Sequence, residues 1–211
     1  MPMQLIIITP EVTATGETKS INHFFENGLL RLHLRKSLFS IAQYRDYLIE
    51  IDSKYHPRIS IHGSFKLFDE FKLGGVHLNS SSRNDANTWQ QIKEVAPSSV
   101  STSFHSWKEV QDNVFSYGYV FISPVFDSIS KTNYKAGIDL SVAREVKQSF
   151  ISQNRYCPSI VGLGGVGIKQ IETLHRYGFD GVAMLGAIWQ SENPEYTFIK
   201  AMEMIYSLSD G

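Results

Sequence analysis

Two glycine-rich stretches near the carboxyl end decide the fold of this chain: residues 160–166 read IVGLGGV, and residues 181–188 read GVAMLGAI. Each is a short run of β-branched or apolar residues that ends in a glycine-containing turn, and a helical segment separates the two. A strand, a helix and a second strand in this order are typical of a parallel sheet. The two stretches are therefore predicted to be strands of one parallel sheet.

Similar apolar runs recur along the whole chain. The predicted strands cover residues 5–9, 29–34, 58–62, 75–78, 100–103, 119–122, 159–163 and 181–185. Helical patterns lie between or after them, at residues 39–55, 64–72, 141–152 and 196–208. Ser106 and Glu109 have the spacing of a capping box. Strand–helix alternation repeated eight times predicts an α/β fold, a single-domain (βα)8 TIM barrel over residues 1–211.

The composition excludes several classes of protein. The chain has 211 residues, of which 42% are hydrophobic, so one domain can bury a full core. Its 20 basic and 21 acidic residues nearly balance, and no basic tract predicts binding to nucleic acid or to a membrane. The single cysteine rules out an internal disulfide. We expect a cytoplasmic protein that binds small molecules, with a homodimer as the candidate assembly.

Polar side chains stand where predicted strands end, which is where a TIM barrel carries its active site. Alternation along the second strand places His33 and Arg35 on the inward side, and His62 ends the third strand. Histidine transfers protons near neutral pH, and arginine binds phosphate through two hydrogen bonds. His33 and His62 are candidate catalytic residues. His77 is expected to be hydrogen-bonded inside the barrel, and His56 to lie on the surface.

The two glycine turns predict a phosphate site after the seventh and eighth strands, because backbone N–H groups at such turns bind anions. Its candidate residues are Gly164, Gly165, Gly186 and Ala187. The loop after the sixth strand is a second candidate, since two hydroxyls, a lysine and a glycine form a substrate-facing pattern. The residues concerned are Ser128, Ser130, Lys131 and Gly137.

These motifs, taken in order, resemble the thiamine phosphate synthase family, including its TenI-like thiazole tautomerase branch. In the family a Gln-Leu-Arg ends strand two, a Gly-Val-His-Leu forms strand four and a serine ends strand five. A Gly-Pro-(apolar)-Phe-x-Thr-x-Thr-Lys loop follows strand six, then come Ile-Gly-Gly-Ile and a final Gly-(apolar)-Ala run. The matching positions here are 33–35, 75–78, 103, 123–131, 163–166 and 181–188.

The resemblance implies a barrel that binds a small phosphorylated thiazole. A synthase of this family joins a hydroxymethylpyrimidine pyrophosphate to a thiazole phosphate with the help of magnesium. The TenI-like branch instead moves protons to aromatise a thiazole carboxylate phosphate, which requires an acid/base group and no metal. The resemblance also implies substrate contacts from Arg35 and Ser103 and from the hydroxyls and lysine of the strand-six loop.

The chain departs from the synthase pattern where that enzyme holds magnesium and pyrophosphate. The family's Asn-Asp after strand three falls on His62 and Gly63, and its aspartate after strand four falls on Ser82, with Asp85 three residues on. Its lysine after the strand-two arginine falls on Ser37. The sequence therefore predicts no metal site and no cofactor, with magnesium required only if the chain is a synthase.

Several functions remain open from the sequence. The first is a TenI-like isomerase that uses His33 or His62, because the tautomerase histidine of the strand-six loop falls on Pro124. The second is a synthase in which Asp85 replaces the lost metal ligands. The third is a non-catalytic, regulatory binder of thiazole or thiamine phosphate. A sugar-phosphate isomerase is a weaker fourth, because it explains the glycine turns but not the strand-six loop.

Overall fold

The computed structural model of the protein describes residues 3–127 and 136–208. Its parallel strands close into one barrel in chain order, with the last strand paired to the first. The strands are β1 (Gln4–Ile8), β2 (Arg31–Leu34), β3 (Ile59–Ile61), β4 (Gly75–Leu78), β5 (Ser99–Phe104), β6 (Tyr119–Ile122), β7 (Ser159–Leu163) and β8 (Gly181–Met184). The predicted (βα)8 TIM barrel is confirmed.

Helices follow each strand and cover the outside of the barrel. They are α1 (Glu17–Glu26), α2 (Ile41–Ile49), α3 (Lys66–Phe71), α4 (Ala86–Val95), α5 (Trp107–Asp112), α6 (Ala143–Ser152), α7 (Ile168–Arg176), α8 (Gly186–Trp189) and α9 (Pro194–Ser207). Short 3-10 helices lie at Ser53–Arg58, Ser82–Asn84 and Leu140–Val142. Within the described ranges, no helix combines the length and apolar character needed to cross a membrane.

The strands alternate between two buried environments. Outward side chains such as Leu32, Ile61 and Val120 join the large apolar layer between sheet and helices. The interior of the barrel has its own smaller apolar cluster, contributed by β1, β6, β7 and β8. Its buried members are Ile6, Ile8, Tyr119, Phe121, Val161 and Ala183.

The other half of the interior, formed by β2 to β5, is polar. Its buried side chains are His33, Ser60, His77 and Ser101. Buried polar groups are tolerated only where they are hydrogen-bonded. His33 and Ser60 bond Tyr119 on β6, and His77 bonds Ser101 on the neighbouring strand. A polar half-interior below the carboxyl ends of β2 to β5 predicts that chemistry is concentrated on this side of the barrel.

The helix predicted at residues 39–55 is wrong in its second half. A capping box between Ser40 and Gln43 starts α2, and the helix ends at Ile49. Asn22 on α1 donates to the Glu50 carbonyl and accepts from the Asp52 N–H, so a tertiary contact takes up the backbone groups that would extend the helix. Residues 53–58 form a separate 3-10 helix.

The prediction that His56 lies on the surface is also wrong. Its side chain is buried, and its two ring nitrogens lie 3.1 Å from the carbonyl oxygens of Leu48, Ile51 and Phe71. The imidazole therefore joins the end of α2 to the end of α3. No sequence pattern indicates this role, because the three carbonyl groups meet only in the folded chain.

Candidate functional site

A cavity of about 400 Å³ opens at the carboxyl ends of the strands, on the polar side of the barrel. Its apolar wall comes from Ile8, Phe65, Phe121 and Leu163. Its polar lining comprises Arg35, Ser37, His62, His77, Asn79, Ser80, Ser82, Ser103 and His105. Such a pocket, largely apolar on one side with polar groups converging on the other, is the usual form of a small-molecule site.

Two of the histidines predicted from the sequence are in direct contact. His33 Nδ1 lies 2.9 Å from His62 Nε2, and His33 Nε2 lies 2.5 Å from the Tyr119 hydroxyl. The hydroxyl continues to Ser60 Oγ at 3.2 Å. A hydrogen-bonded chain thus runs from the cavity into the barrel, and we call these four residues the histidine relay.

The positions of the two histidines differ. His62 is half-buried and lines the cavity, whereas His33 is fully buried behind it and is not part of the lining. A molecule in the cavity can contact His62, whereas His33 lies behind that ring. The geometry therefore exposes His62 to a ligand and shields His33 from it.

The environment keeps both rings uncharged. Burial lowers the pKa of His33 well below its ordinary value, and the nearby His62, His77 and Arg31 charges lower it further. Burial also lowers the pKa of His62 well below its ordinary range, helped by His77 and Arg35. At neutral pH each ring is a neutral imidazole, with one nitrogen that donates and one that accepts.

His77 is held inside the barrel, as its position in the fourth strand predicted. Its Nδ1 lies 2.9 Å from Ser101 Oγ and its Nε2 lies 3.0 Å from Ser103 Oγ. Burial, with a smaller contribution from the Arg35 charge, lowers its pKa to about 3. The predicted substrate contact Ser103 thus faces the cavity but already bonds a histidine.

His105 follows β5 and also faces the cavity. Its Nδ1 donates to the Ser123 carbonyl at 3.0 Å, and its backbone N–H donates to Glu109 Oε2 at 2.7 Å. Ser106 caps α5 as predicted, but Glu109 reaches one residue further back than a capping box requires. The sequence left the role of His105 open, and the structure shows that its ring is oriented by the start of the strand-six loop.

The predicted phosphate turns lie side by side. A Cβ on Gly167 would stand 3.8 Å from that of Ala187, so the turn after β7 touches the start of α8, where Gly186 and Ala187 lie. Gly164 and Gly165 have φ of 95° and 66°, in the left-handed region that favours glycine. Geometry of this kind exposes backbone N–H groups to a ligand.

The same turn holds the start of the strand-six loop. Val125 N–H donates to the Leu163 carbonyl and Phe126 N–H donates to the Gly164 carbonyl, both at 3.0 Å. A Cβ on Gly165 would lie 2.3 Å from the Asp127 carbonyl oxygen, so only glycine fits there. Gly137, a predicted substrate contact, donates its N–H to the Pro124 carbonyl at the start of the loop, at 3.4 Å. The predicted contacts Ser128, Ser130 and Lys131 lie outside the described residues.

A comparison with protein-family models identifies the family. The family model described as thiamine monophosphate synthase matches residues 5–188. This chain belongs to the thiamine monophosphate synthase family, which includes the TenI-like proteins. The predicted resemblance is confirmed at that level.

Individual relatives are named thiamine-phosphate synthase or thiamine phosphate pyrophosphorylase. The thiamine-phosphate synthase of Listeria monocytogenes serotype 4a (strain HCC23) is 26% identical over 173 residues, which cover 79% of this chain and 77% of the relative. A solved thiamine phosphate pyrophosphorylase from Bacteroides thetaiotaomicron is 30% identical, with a TM-score of 0.69 over 99% of this chain and 98% of that one. A pyrophosphorylase from Pyrococcus furiosus, 15% identical over 98% of this chain and 96% of its own, shares the fold with a TM-score of 0.78.

Magnesium, which the synthase reaction of this family requires, does not fit the cavity. Magnesium takes oxygen ligands, usually carboxylates, in an octahedral arrangement. Among the described residues no aspartate or glutamate lines the cavity. Asp85, the candidate replacement ligand, caps α4 instead, and its Oδ2 accepts from the N–H and the hydroxyl of Thr88 at 2.8 and 2.7 Å.

The cations expected at a pyrophosphate site are also engaged elsewhere. Arg35 Nε lies 3.0 Å from Glu11 Oε1, and Glu11 Oε2 accepts from the N–H and hydroxyl of Ser37. Lys36 is fully buried and pairs with Glu17 at 2.8 Å. Of Arg35, Lys36 and Ser37, only Arg35 and Ser37 line the cavity. Arg35 already pairs with the Glu11 carboxylate.

Sequence reasoning missed Tyr119. It lies in an apolar run that predicted only a strand, and its hydroxyl meets a ring 86 residues away in sequence. One signal was available: Tyr119 and Phe121 alternate with outward apolar residues, so both had to point into the barrel. A tyrosine in that position needs a polar partner, and the inward histidine of β2 is the partner it finds.

Proposed function

We propose that the protein catalyses a metal-independent proton transfer on a thiazole phosphate, in the manner of the TenI-like branch. The observation that supports this most is the histidine relay, whose outer ring lies in a cavity with no carboxylate among its described lining residues. An isomerisation of this type removes a proton from one position of the substrate and returns it at another. It requires an acid/base group and no metal.

His62 is the proposed catalytic residue. A neutral imidazole can accept the substrate proton on one nitrogen and return it after the ring electrons have rearranged. Bound substrate also favours this role, since a phosphate or carboxylate near the ring stabilises the imidazolium and raises the pKa of His62 from its lowered value.

His33 and Tyr119 are proposed positioning residues. Neutral His33 donates from one nitrogen only, so its two bonds are coupled. When Tyr119 donates to Nε2, His33 Nδ1–H donates to His62; when Nε2–H donates to Tyr119, Nδ1 accepts from His62. Reversing the chain therefore switches the other nitrogen of His62, Nδ1, between a free lone pair that can take a proton and an N–H that can return one.

Substrate binding is proposed to use the groups predicted from the sequence. The turns at Gly164–Gly165 and Gly186–Ala187 would bind the phosphate through backbone N–H groups, since they adjoin at the carboxyl ends of β7 and β8. Arg35 and Ser103 face the cavity and would contact the rest of the molecule. Ser128, Ser130, Lys131 and Gly137 remain predicted contacts from the strand-six loop.

The names of the relatives favour a second function, thiamine phosphate synthesis. That reaction would couple a pyrimidine pyrophosphate to the thiazole phosphate and would need magnesium. The absence of carboxylates among the described lining residues and the carboxylate held by Arg35 stand against it. A regulatory binder without turnover is the third outcome that the experiment below can return.

Calorimetry of the purified protein separates the three. Thiazole phosphate is titrated first, then hydroxymethylpyrimidine pyrophosphate with magnesium. Binding of the thiazole phosphate alone, followed by turnover in an isomerisation assay, is the expected result. Binding of both ligands with magnesium-dependent coupling would establish a synthase and overturn the proposal. Binding of the thiazole phosphate with no turnover of either kind would leave a binder.

A further inference from the structure

Three histidines from neighbouring strands meet at and directly behind the floor of the cavity. His33 on β2, His62 just after β3 and His77 on β4 each offer a ring nitrogen, and these nitrogens all lie within 4.8 Å of one another. The ring centroids of His33 are 5.1 Å from His62 and 5.2 Å from His77, and those of His62 and His77 are 4.3 Å apart. Three imidazoles carried by adjacent strands of one barrel thus bring three nitrogen donors together.

The chemistry of this set selects one class of ion. Imidazole nitrogen suits zinc, copper, nickel and cobalt, whereas magnesium and calcium require oxygen. Three histidines with a fourth position left for water or substrate are a common arrangement of catalytic zinc. Tetrahedral ligands on zinc stand roughly 3.3 Å apart, given Zn–N bonds of about 2.0–2.1 Å. His33 Nδ1 and His62 Nε2, at 2.9 Å, need to separate only slightly.

The remaining ring nitrogens already have the partners that ligating histidines use. His33 Nε2 lies against the Tyr119 hydroxyl, which leaves Nδ1 free to turn to a metal. His77 Nδ1 lies against the buried Ser101 hydroxyl, so Nε2 can ligate if it releases Ser103. Ser103 lines the cavity and can bond water instead.

His62 is the ring that must move. It now stacks on His77 with an angle of 26° between the planes, and a metal in the plane of both rings requires one of them to rotate. His62 is half-buried at the cavity, so it can turn without disturbing the packed interior. We propose that His33, His62 and His77 bind one divalent transition-metal ion of the zinc class, with its open coordination position facing the cavity.

Metal binding has a consequence for the function proposed above, but it does not depend on that function. A metal held by His62 occupies the lone pair that proton transfer would use. The metal-bound protein would then be inactive as an isomerase, and zinc-class ions would inhibit it at one equivalent. Magnesium would neither bind these nitrogens nor inhibit.

The test uses the full chain without a histidine tag, stripped with chelator and titrated with Co²⁺ in the absence of any substrate. Four-coordinate Co²⁺ gives intense visible bands, so the spectrum reports both stoichiometry and geometry. We expect one equivalent to bind with a four-coordinate spectrum and to be displaced by Zn²⁺. Cys157→Ser should leave the spectrum unchanged, because the cysteine lies outside the cluster.

Two variants locate the site. His62→Asn removes a ligand from the cavity side and should weaken Co²⁺ binding by more than the 10–100-fold typical of losing an outer partner. His175→Asn, an exposed histidine on α7, is the matched control and should bind as the parent does. Tyr119→Phe, which keeps all three ligands, should weaken binding by about tenfold.

Unchanged affinity in His62→Asn, or no saturable binding by the parent, would overturn the metal proposal. Near-ultraviolet circular dichroism of each variant confirms that folding is retained. Because Co²⁺ binding is measured without a thiazole phosphate, its failure leaves the isomerase proposal untouched, and the reverse also holds.

Discussion

The 2.9 Å contact between His33 Nδ1 and His62 Nε2 links a fully buried ring to one that faces the cavity. Because His33 is neutral, the ring nitrogen that carries its proton determines whether His62 accepts or donates in the hydrogen bond between them. Positioning a catalytic ring through a second buried group is the arrangement that general acid/base sites use. The same contact also makes the pair a candidate for metal binding, so the two proposals compete for one lone pair.

Replacing His62 with Asn should abolish most turnover of a thiazole phosphate. Asparagine keeps a polar group of similar size but cannot accept a proton, and general acid/base catalysis contributes about 10²–10⁴-fold. The thiazole phosphate should still bind within a few-fold, because the proposed phosphate turns are unchanged. His33→Asn should also lower the rate, through misorientation of His62. Single-turnover rates and calorimetry measure both effects, and unchanged rates in both variants would reject the acid/base assignment.

Tyr119→Phe separates positioning from structure. The substitution removes a hydroxyl that contacts His33 Nε2 and Ser60 Oγ, at a cost in stability of about 1 kcal/mol. We expect kcat to fall by about tenfold with a shifted pH profile, while KM changes little, since the hydroxyl lies behind His33. Tyr196→Phe, on the exposed face of α9, is the control. A loss of stability with no change in the pH profile would show that Tyr119 only packs.

Acid should destabilise the fold through the histidine cluster. Histidine in an unfolded chain has a pKa of about 6.5, whereas burial lowers the pKa of His77 to about 3. Below pH 6.5 the unfolded state binds a proton at this histidine and the folded state does not, so the free energy of unfolding falls as the pH falls. His77 alone accounts for about 2 kcal/mol between pH 7 and pH 5.

Urea unfolding at the two pH values measures this loss. His77→Gln should reduce the pH dependence, and His175→Gln, at an exposed position, should leave it as in the parent. A parent protein equally stable at both pH values would show that the buried rings are charged in the folded state.

The sequence predicted the barrel well because each strand is a local pattern. The runs at residues 5–9 and 181–185, for example, are recognisable as strands without reference to their partners. Closure into a barrel follows from the presence of eight such runs. What depends on distant contacts was not predictable in the same way. The end of α2 depends on Asn22, and the burial of His56 depends on carbonyl groups from two helices.

The candidate site shows the same division. Alternation along β2 placed His33 inside the barrel, and the strand end placed His62 at its mouth. That the two rings bond each other depends on the register of β2 and β3, where His33 pairs with Ser60, two residues before His62. Register is set by the whole barrel and not by either strand alone.

Gly165→Ala should destabilise the protein and weaken phosphate binding. The new Cβ would lie 2.3 Å from the Asp127 carbonyl oxygen, and the residue has φ of 66°, so both the loop and the turn must shift. Gly16→Ala is a matched control, since Gly16 has φ of 70° but nothing within 4 Å of the added carbon. We expect about 1 kcal/mol for the control and about 2–4 kcal/mol for Gly165→Ala.

Calorimetry with thiazole phosphate provides the second readout for the glycine pair. Affinity should fall at least several-fold in Gly165→Ala and remain unchanged in Gly16→Ala. Equal stability of the two variants would mean that the strand-six loop yields to the extra carbon at no cost. Equal affinity would remove Gly165 from the proposed phosphate site.

Lys36→Met tests whether the lysine beside the family's cationic position, which falls on Ser37, is structural. Lys36 and Glu17 are fully buried and 2.8 Å apart, and the Tyr47 hydroxyl also bonds Glu17. Removing the lysine leaves a buried carboxylate without its cation, which typically costs about 3–5 kcal/mol. Adding Glu17→Gln removes the unpaired buried charge and should recover part of the lost stability. Lys36→Met could instead weaken binding of an anionic ligand without loss of stability. That result would show that the lysine contributes charge to the cavity, and that its assignment to a buried ion pair in the core is wrong.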